Sequence, residues 1–316
     1  MKPGVSEQIQ DVALDEVKLE ILAKMAYFGI FKYPLKSCEI SNLMVLSCPK
    51  LQLQKLLDWA VKEGACYTYK GFYAMDSSVK TWVNHRSHHE KVGAVFFKRL
   101  PRYVRLISTF PFVKAIAISG SLSKGVIHDK GDVDYFIITQ VGRLWLSKGL
   151  LSLFKKVFLL NSKKYFCVNY LIDEESLLLE DQNRFTATEI VYLIPVYNKA
   201  LIDRFKAVND WTDNFYPHFI HPITMELEVE KTGVIKEGLE RLLSGTFGTR
   251  LDAFFRRTIV KRWKKKFKNF DAEKFELALR SRKGISKHHP QDFQTVVLQK
   301  LETEMKRLRE KLKMET

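Results

Sequence analysis

The sequence predicts an α+β protein in which a small mixed sheet sits between an N-terminal unit of helices with a short hairpin and a C-terminal helical region. Three observations predict it. Two β-prone apolar runs, Val113 to Ile118 and Asp132 to Thr139, lie close together in mid-chain and are rich in Val and Ile. On both sides of them apolar residues recur at spacings of three and four, the period of a half-buried helix. The chain also has 316 residues, 46% hydrophobic and 28% charged. That length exceeds the roughly 150 residues of a common single domain, and the composition excludes collagen-like, low-complexity and disordered classes. The expected division is 1–85, 86–180 and 181–316.

In the first stretch Leu19, Leu22, Ala23 and Ala26 mark a helix. Tyr33-Pro34-Leu35 interrupts it, and a second helix starts near Ser37, a favourable N-cap residue. Leu51, Leu53, Leu56, Leu57 and Ala60 give a third helix an inward face, with Gly64 as its stop. Tyr67-Thr68-Tyr69, then Lys70-Gly71, then Phe72-Tyr73-Ala74 reads as a hairpin. Three helices followed by a hairpin resemble a winged helix. Such a domain inserts its third helix into a DNA groove, yet here Lys50, Lys55 and Lys62 are offset by Asp58 and Glu63. Packing on a neighbour, or binding a partner protein, is the better reading.

The second stretch opens with a helix from Glu90 to Ser108, expected to break near Pro101. The strand Val113 to Ile118 follows, closed by Gly120-Ser121, with a short helix expected from Leu122 to Gly125. After the polar turn His128-Asp129-Lys130-Gly131 comes the strand Asp132 to Thr139. A helix from Arg143 to Leu160 carries Lys148, Ser152, Lys155 and Lys156 as one polar stripe, and Tyr165 to Ile172 reads as a third strand. The third stretch reads as mainly helical. In it Leu251, Phe255, Ile259, Trp263, Phe267 and Phe270 form an apolar stripe opposite a basic face that runs from Arg256 to Lys268.

Charge is uneven. From Gly245 to Thr316 there are 20 Lys and Arg against 9 Asp and Glu, so these 72 residues supply +11 of the net +16. Such a field attracts polyanions, and the helix 256–268 is a place for nucleic-acid contact or for an anionic membrane face, against the plain reading of a solvated surface. Met1 to Glu16 is acidic without an apolar stretch, and no apolar run approaches the roughly 18 residues of a membrane span. The expectation is a cytoplasmic protein with no transmembrane segment. Cys38, Cys48, Cys66 and Cys167 form no CxxC pair and read as buried, reduced thiols.

The chemistry concentrates in the second stretch. Asp132 and Asp134 are two residues apart in a strand pattern, which directs both carboxylates to one face. Two carboxylates near 4 Å repel by about 1 kcal/mol in water and about 4 kcal/mol at an effective dielectric of 20, so the pair calls for a divalent cation. Hard oxygen ligands suit Mg²⁺, which commonly shares phosphate oxygens from a substrate. At the exit of the preceding strand Gly120 allows close backbone approach, while the Ser121 hydroxyl and the N–H groups of the next turn offer donors to a phosphate.

Gly120-Ser121, ten intervening residues and Asp132-x-Asp134 between apolar strands resemble the DNA polymerase beta-like nucleotidyltransferase superfamily. The resemblance covers roughly residues 113–172. It implies transfer of a nucleoside monophosphate from an NTP to an acceptor, with release of pyrophosphate and with Mg²⁺ or Mn²⁺ as cofactor. The acceptor, whether protein, RNA or small molecule, is open. The resemblance assigns Gly120 and Ser121 to the triphosphate and Asp132 and Asp134 to the metal. Active members commonly add a third carboxylate from the next strand. Here Cys167, Asn169, Leu171 and Asp173 share one face of that strand, which makes Asp173 the expected third acid and Asn169 a neutral neighbour of the nucleotide. With neither completing the site, the base comes from elsewhere, the enzyme is slow, or the protein is a catalytically decayed nucleotide- or nucleic-acid-binding regulator.

Other residues have plainer readings. Lys124 can reach a triphosphate or remain a surface lysine. Arg143 and Trp145 follow the second strand, Trp145 as core. His85, His88 and His89 read as a solvated helix entrance, with a metal site as the alternative. His288 and His289 read as loop.

Overall fold

The computed structural model describes residues 5–162, 164–225 and 233–312. The N-terminal unit runs α1 (Val5–Gly29), β1 (Leu35–Lys36), α2 (Ser37–Leu43), α3 (Lys50–Lys62), β2 (Tyr67–Tyr69) and β3 (Phe72–Ala74). Its three strands form an antiparallel sheet of order β1-β3-β2. Lys70 and Gly71 both take positive φ, as a two-residue hairpin turn requires. α2 begins at Ser37 rather than being capped by it, and the Glu39 carboxylate accepts the Lys36 N–H at 2.8 Å. Leu53, Leu56, Leu57 and Ala60 of α3 are buried, whereas Leu51 faces solvent in the first turn.

α4 (Val79–Ser108) runs unbroken through Pro101. The lost backbone bond there is outweighed by Leu100, Val104 and Ile107, which are fully buried on the sheet. The helix also carries the chain across the expected 85/86 boundary. Near its start Arg86 is buried, stacked over the Tyr33 ring at 4.0 Å and bonded to both Glu39 carboxylate oxygens, to Glu90 and to the Pro34 carbonyl.

The remaining chain builds β4 (Val113–Ser119), β5 (Asp134–Thr139), α5 (Leu144–Phe158), β6 (Cys167–Asp173), α6 (Arg184–Val191), β7 (Ile194–Tyr197) and α7 (Lys199–Val208). Then follow α8 (Val234–Leu243), α9 (Thr246–Lys266), α10 (Ala272–Ala278), β8 (Ser281–Arg282), β9 (Ile285–Lys287) and α11 (Phe293–Leu312). Among the described residues six strands form one mixed sheet, order β7-β4-β5-β6-β9-β8. β5 and β6 are parallel, joined across α5, and every other pair is antiparallel. The fold is therefore α+β. The sheet is wider than expected, because β7, β9 and β8 come from the stretch read as mainly helical. These strands are only two to four residues long, too short to show a period of their own.

The alternation of the strands sends Ile116, Ile118, Tyr135, Ile137 and Leu171 to a face covered by α4 and α5. Ala115, Ala117, Phe136, Ile138 and Ile172 face the other way, onto α6 and α7. This second cluster is continuous with the core of the N-terminal unit, including Leu22, Met25 and Leu57, so the unit packs on its neighbour. α9 lies on α5 with Phe255, Ile259 and Trp263 inward. That packing buries Lys148, which the sequence places in a polar stripe. Its ammonium lies over the Trp263 ring at 5.0 Å, and burial pulls its pKa down to about 7. Among the cysteines, Cys66 and Cys167 are buried, Cys48 is half-buried and Cys38 is exposed, contrary to a uniformly buried set.

Among the described residues no helix is long and apolar enough to cross a membrane.

Candidate active site

The register of the central strands assembles the site. Ser119 at the end of β4 lies opposite Asp134, and Asp134 lies opposite Cys167. The turn after β4, the DxD and the start of β6 therefore meet at one edge of the sheet. β5 begins at Asp134, so Asp132 sits in the preceding loop rather than in the strand. Even so, ligand atoms of Asp132, Asp134 and Cys167 all lie within 4.8 Å of one another.

Gly120 has φ +67, and a Cβ built on it would come within 2.6 Å of Asp134 Oδ2. The position thus demands glycine twice, for backbone conformation and for contact with the carboxylate. Gly120→Ala is expected to lower stability by about 1–3 kcal/mol and to displace Asp134. Thermal unfolding indistinguishable from wild type would show that the turn relaxes instead.

Beyond Gly120 the expected helix is a three-residue 3-10 turn, Leu122–Lys124, with Ser121 exposed at its start. The Gly120 carbonyl accepts bonds from Ser123 Oγ at 2.8 Å and from Lys124 Nζ at 3.2 Å. Lys124 is half-buried, and its ammonium also donates to Glu189 Oε1 at 2.9 Å. Glu189 belongs to α6 and carried no sequence signal, because the chain must fold α6 across the sheet before it faces β5.

Asn169 is brought to the site by an irregularity. The β5–β6 register shifts between Tyr135 and Phe136, leaving Asn169 as an extra residue. Such a bulge turns neighbouring side chains toward the same face. Asn169 and Tyr170 accordingly line one cavity, and Asn169 Nδ2 donates to Asp134 Oδ1 at 3.0 Å.

Asp173 does not join them. Parallel pairing places it opposite Thr139, five residues along from the Asp134–Cys167 pair, or about 17 Å at 3.3 Å per residue. It is buried there, accepting the Gly142 N–H at 3.4 Å. Asp173 therefore lies at the far end of β6 and on the face opposite the acidic pair, whereas the sequence spacing expects it beside them.

Burial, then the neighbouring charge of Asp132, pushes the Asp134 carboxyl up to about 7, and the Glu189 charge adds to this. Burial and the same two aspartates hold the Cys167 thiol well above its ordinary value, so it stays protonated. A cation would find two hard oxygen ligands and a neutral thiol, a donor set that suits Mg²⁺ or Mn²⁺ through the oxygens alone.

The enclosed space beside this edge is about 100 Å³, lined among others by Gly120, Asp134, Asn169, Glu189, Lys287 and His289. That is below the about 300–1,000 Å³ of a small-molecule pocket. A much larger cleft of about 1260 Å³ opens at the other end of β5. It is lined by Arg143, Arg256, Arg257, Lys261, Lys264 and Lys268 among others, which gathers the basic face of α9 into a concave surface. Arg143 belongs to this far side, where it donates to the carbonyls of Leu243 and Ser244, and Trp145 is core.

No family model, curated protein or solved structure matches this chain.

Proposed function

We propose that the protein is a Mg²⁺- or Mn²⁺-dependent nucleotidyltransferase, moving a nucleoside monophosphate from an NTP to an acceptor and releasing pyrophosphate. The observation that carries this reading is the convergence of the Gly120-Ser121 turn with Asp132 and Asp134 at one sheet edge. The helix–strand–helix–helix–hairpin order of the N-terminal unit supports the companion reading of a winged-helix-like domain.

In this reading Asp132 and Asp134 hold the metal, which when bound supplies charge neutralisation at the phosphates. Because the enclosed cavity is small, the triphosphate lies over the exposed Ser121 and the Asp132 loop rather than inside it. Asn169 orients Asp134 through its amide. A triphosphate competes with Glu189 for the Lys124 ammonium, and Glu189 released from that ion pair is the general base that Asp173 cannot be. Glu189→Gln is expected to lower transfer by about 10²–10⁴-fold with NTP binding retained. A variant with wild-type kcat would remove Glu189 from the reaction.

The acceptor is a protein, an RNA or a small molecule, and the basic cleft offers a cationic track to an RNA. The direct test is incubation with each α-labelled NTP and Mg²⁺ or Mn²⁺, alone and with cell extract. Label transferred to a product supports the transferase. A second reading, a nucleotide-binding regulator with a decayed site, is favoured by the neutral Asn169 beside Asp134. It predicts NTP binding by calorimetry without pyrophosphate release. Absence of both binding and transfer would refute the two together.

A further inference from the structure

Four side chains of metal-binding type, His88, His89, His128 and Asp129, meet on the outer side of α4 from two separate segments. His85, His88 and His89 lie in that helix, with His85 and His89 one turn apart. Facing them are His128 and Asp129, in the loop that leads from the Gly120 turn to the DxD. Ligand atoms of His89, His128 and Asp129 all lie within 4.8 Å of one another. The His89 ring packs 5.2 Å from that of His128 and 5.7 Å from that of His88. His88 Nε2 lies 3.0 Å from each Asp129 carboxylate oxygen and so orients that carboxylate.

The backbone is built for this approach. A Cβ at Gly93 would come within 2.7 Å of the Gly125 carbonyl, so glycine lets the loop lie against α4. The Ile127 N–H then donates to the His89 carbonyl at 3.3 Å, fixing the loop one residue before His128.

We propose that His89, His128 and Asp129 form a binding site for Zn²⁺, with His88 as the residue that positions Asp129. Two imidazoles and one carboxylate with an open fourth position are a donor set for zinc, and imidazole discriminates against Mg²⁺. Tetrahedral bonds of about 2.0–2.1 Å require ligand atoms about 3.3 Å apart. His128 is exposed and free of core packing, so rotation of its side chain closes the remaining gap while His88 holds the Asp129 carboxylate in place. The ion displaces one hydrogen bond, from the Lys130 N–H to His128 Nδ1 at 3.2 Å, whichever ring nitrogen it takes. At Nδ1 it replaces the donor, and at Nε2 it turns Nδ1 into a donor itself. Bound zinc would tie the loop to α4 three residues before Asp132. The proposal stands apart from nucleotidyl transfer, since it uses none of the residues assigned to that reaction.

The test is calorimetric titration of the metal-free full-length protein with Zn²⁺ in excess Mg²⁺, repeated with Co²⁺ followed by visible absorption. A single equivalent is expected to bind, and His89→Ala and His128→Ala are each expected to weaken it by about tenfold or more. Asp134→Asn, which alters the competing Asp132–Asp134–Cys167 group, is expected to leave zinc uptake unchanged. Unfolding of the two histidine variants in EDTA, matched to wild type, confirms that they are folded. No uptake over excess Mg²⁺, uptake that survives both histidine substitutions, or uptake abolished by Asp134→Asn would overturn the assignment.

Discussion

Asp134→Asn is expected to lower the proposed nucleotidyl transfer by about a hundredfold to a thousandfold while making the metal-free protein more stable at pH 8. The two effects share one cause. Asp134 is held beside Asp132 at a desolvated edge, which raises its carboxyl from 3.8 to about 7 in the folded chain. Between those values the folded protein retains a proton that the unfolded chain has released, so stability falls as pH rises through the window. Above it the full penalty of the ionised pair is present. Asparagine keeps the shape and can still accept from the Asn169 amide, but carries no charge.

In EDTA the melting temperatures of the two proteins should converge near pH 4 and separate as pH rises to 8, with the variant higher. Mg²⁺ should then raise the wild-type melting temperature and leave that of the variant unchanged, because only the wild type offers both ligands. Undiminished transfer, or a wild-type melting temperature that Mg²⁺ does not raise, would show that this edge does not hold a metal.

Arg86→Ala is expected to destabilise the protein by about 2–4 kcal/mol. Removing one member of a buried pair commonly costs about 3–5 kcal/mol, because the other charge is left without its partner. The figure is reduced here because the Glu39 side chain keeps 24% of its exposure and can be partly rehydrated. Arg86 also stacks on Tyr33 and satisfies the Pro34 carbonyl, so it holds the N-terminal unit to α4 at three kinds of contact. Arg86→Lys retains the charge but not the fork that meets both Glu39 oxygens, and should fall between the two. Denaturant unfolding gives the comparison. A loss below about 0.5 kcal/mol, typical of a surface substitution, would show that the junction is held by apolar packing alone.

Much of the central sheet was legible because each strand carries its own local signal. Val113 to Ile118 and Tyr135 to Thr139 are apolar runs of strand length, and the Gly120 turn between them needs a residue that tolerates positive φ. The DxD was legible for the same reason, although Asp132 reaches Asp134 from a loop rather than along the strand. The third carboxylate was misplaced for an equally definite reason. Counting alternate residues along β6 assumes a regular strand, whereas the bulge at Asn169 breaks the count and parallel pairing carries Asp173 to the far end. Lys148 fails similarly, since helical spacing shows that it shares a stripe with Lys155 but not that α9 covers that stripe.

The α+β class, the Gly-Ser turn, the acidic pair and the concentration of positive charge near the C-terminus are all readable from local residue order. These depend on interactions within a few residues, where backbone geometry fixes which side chains share a face. The folded chain brings Glu189 rather than Asp173 to the cavity beside Asp134. It alone gathers the basic face of α9 into a cleft and carries His128 and Asp129 to the histidines of α4. Those relations join segments far apart in the chain. They are set by strand register and helix packing, where a shift of a single residue changes every neighbour.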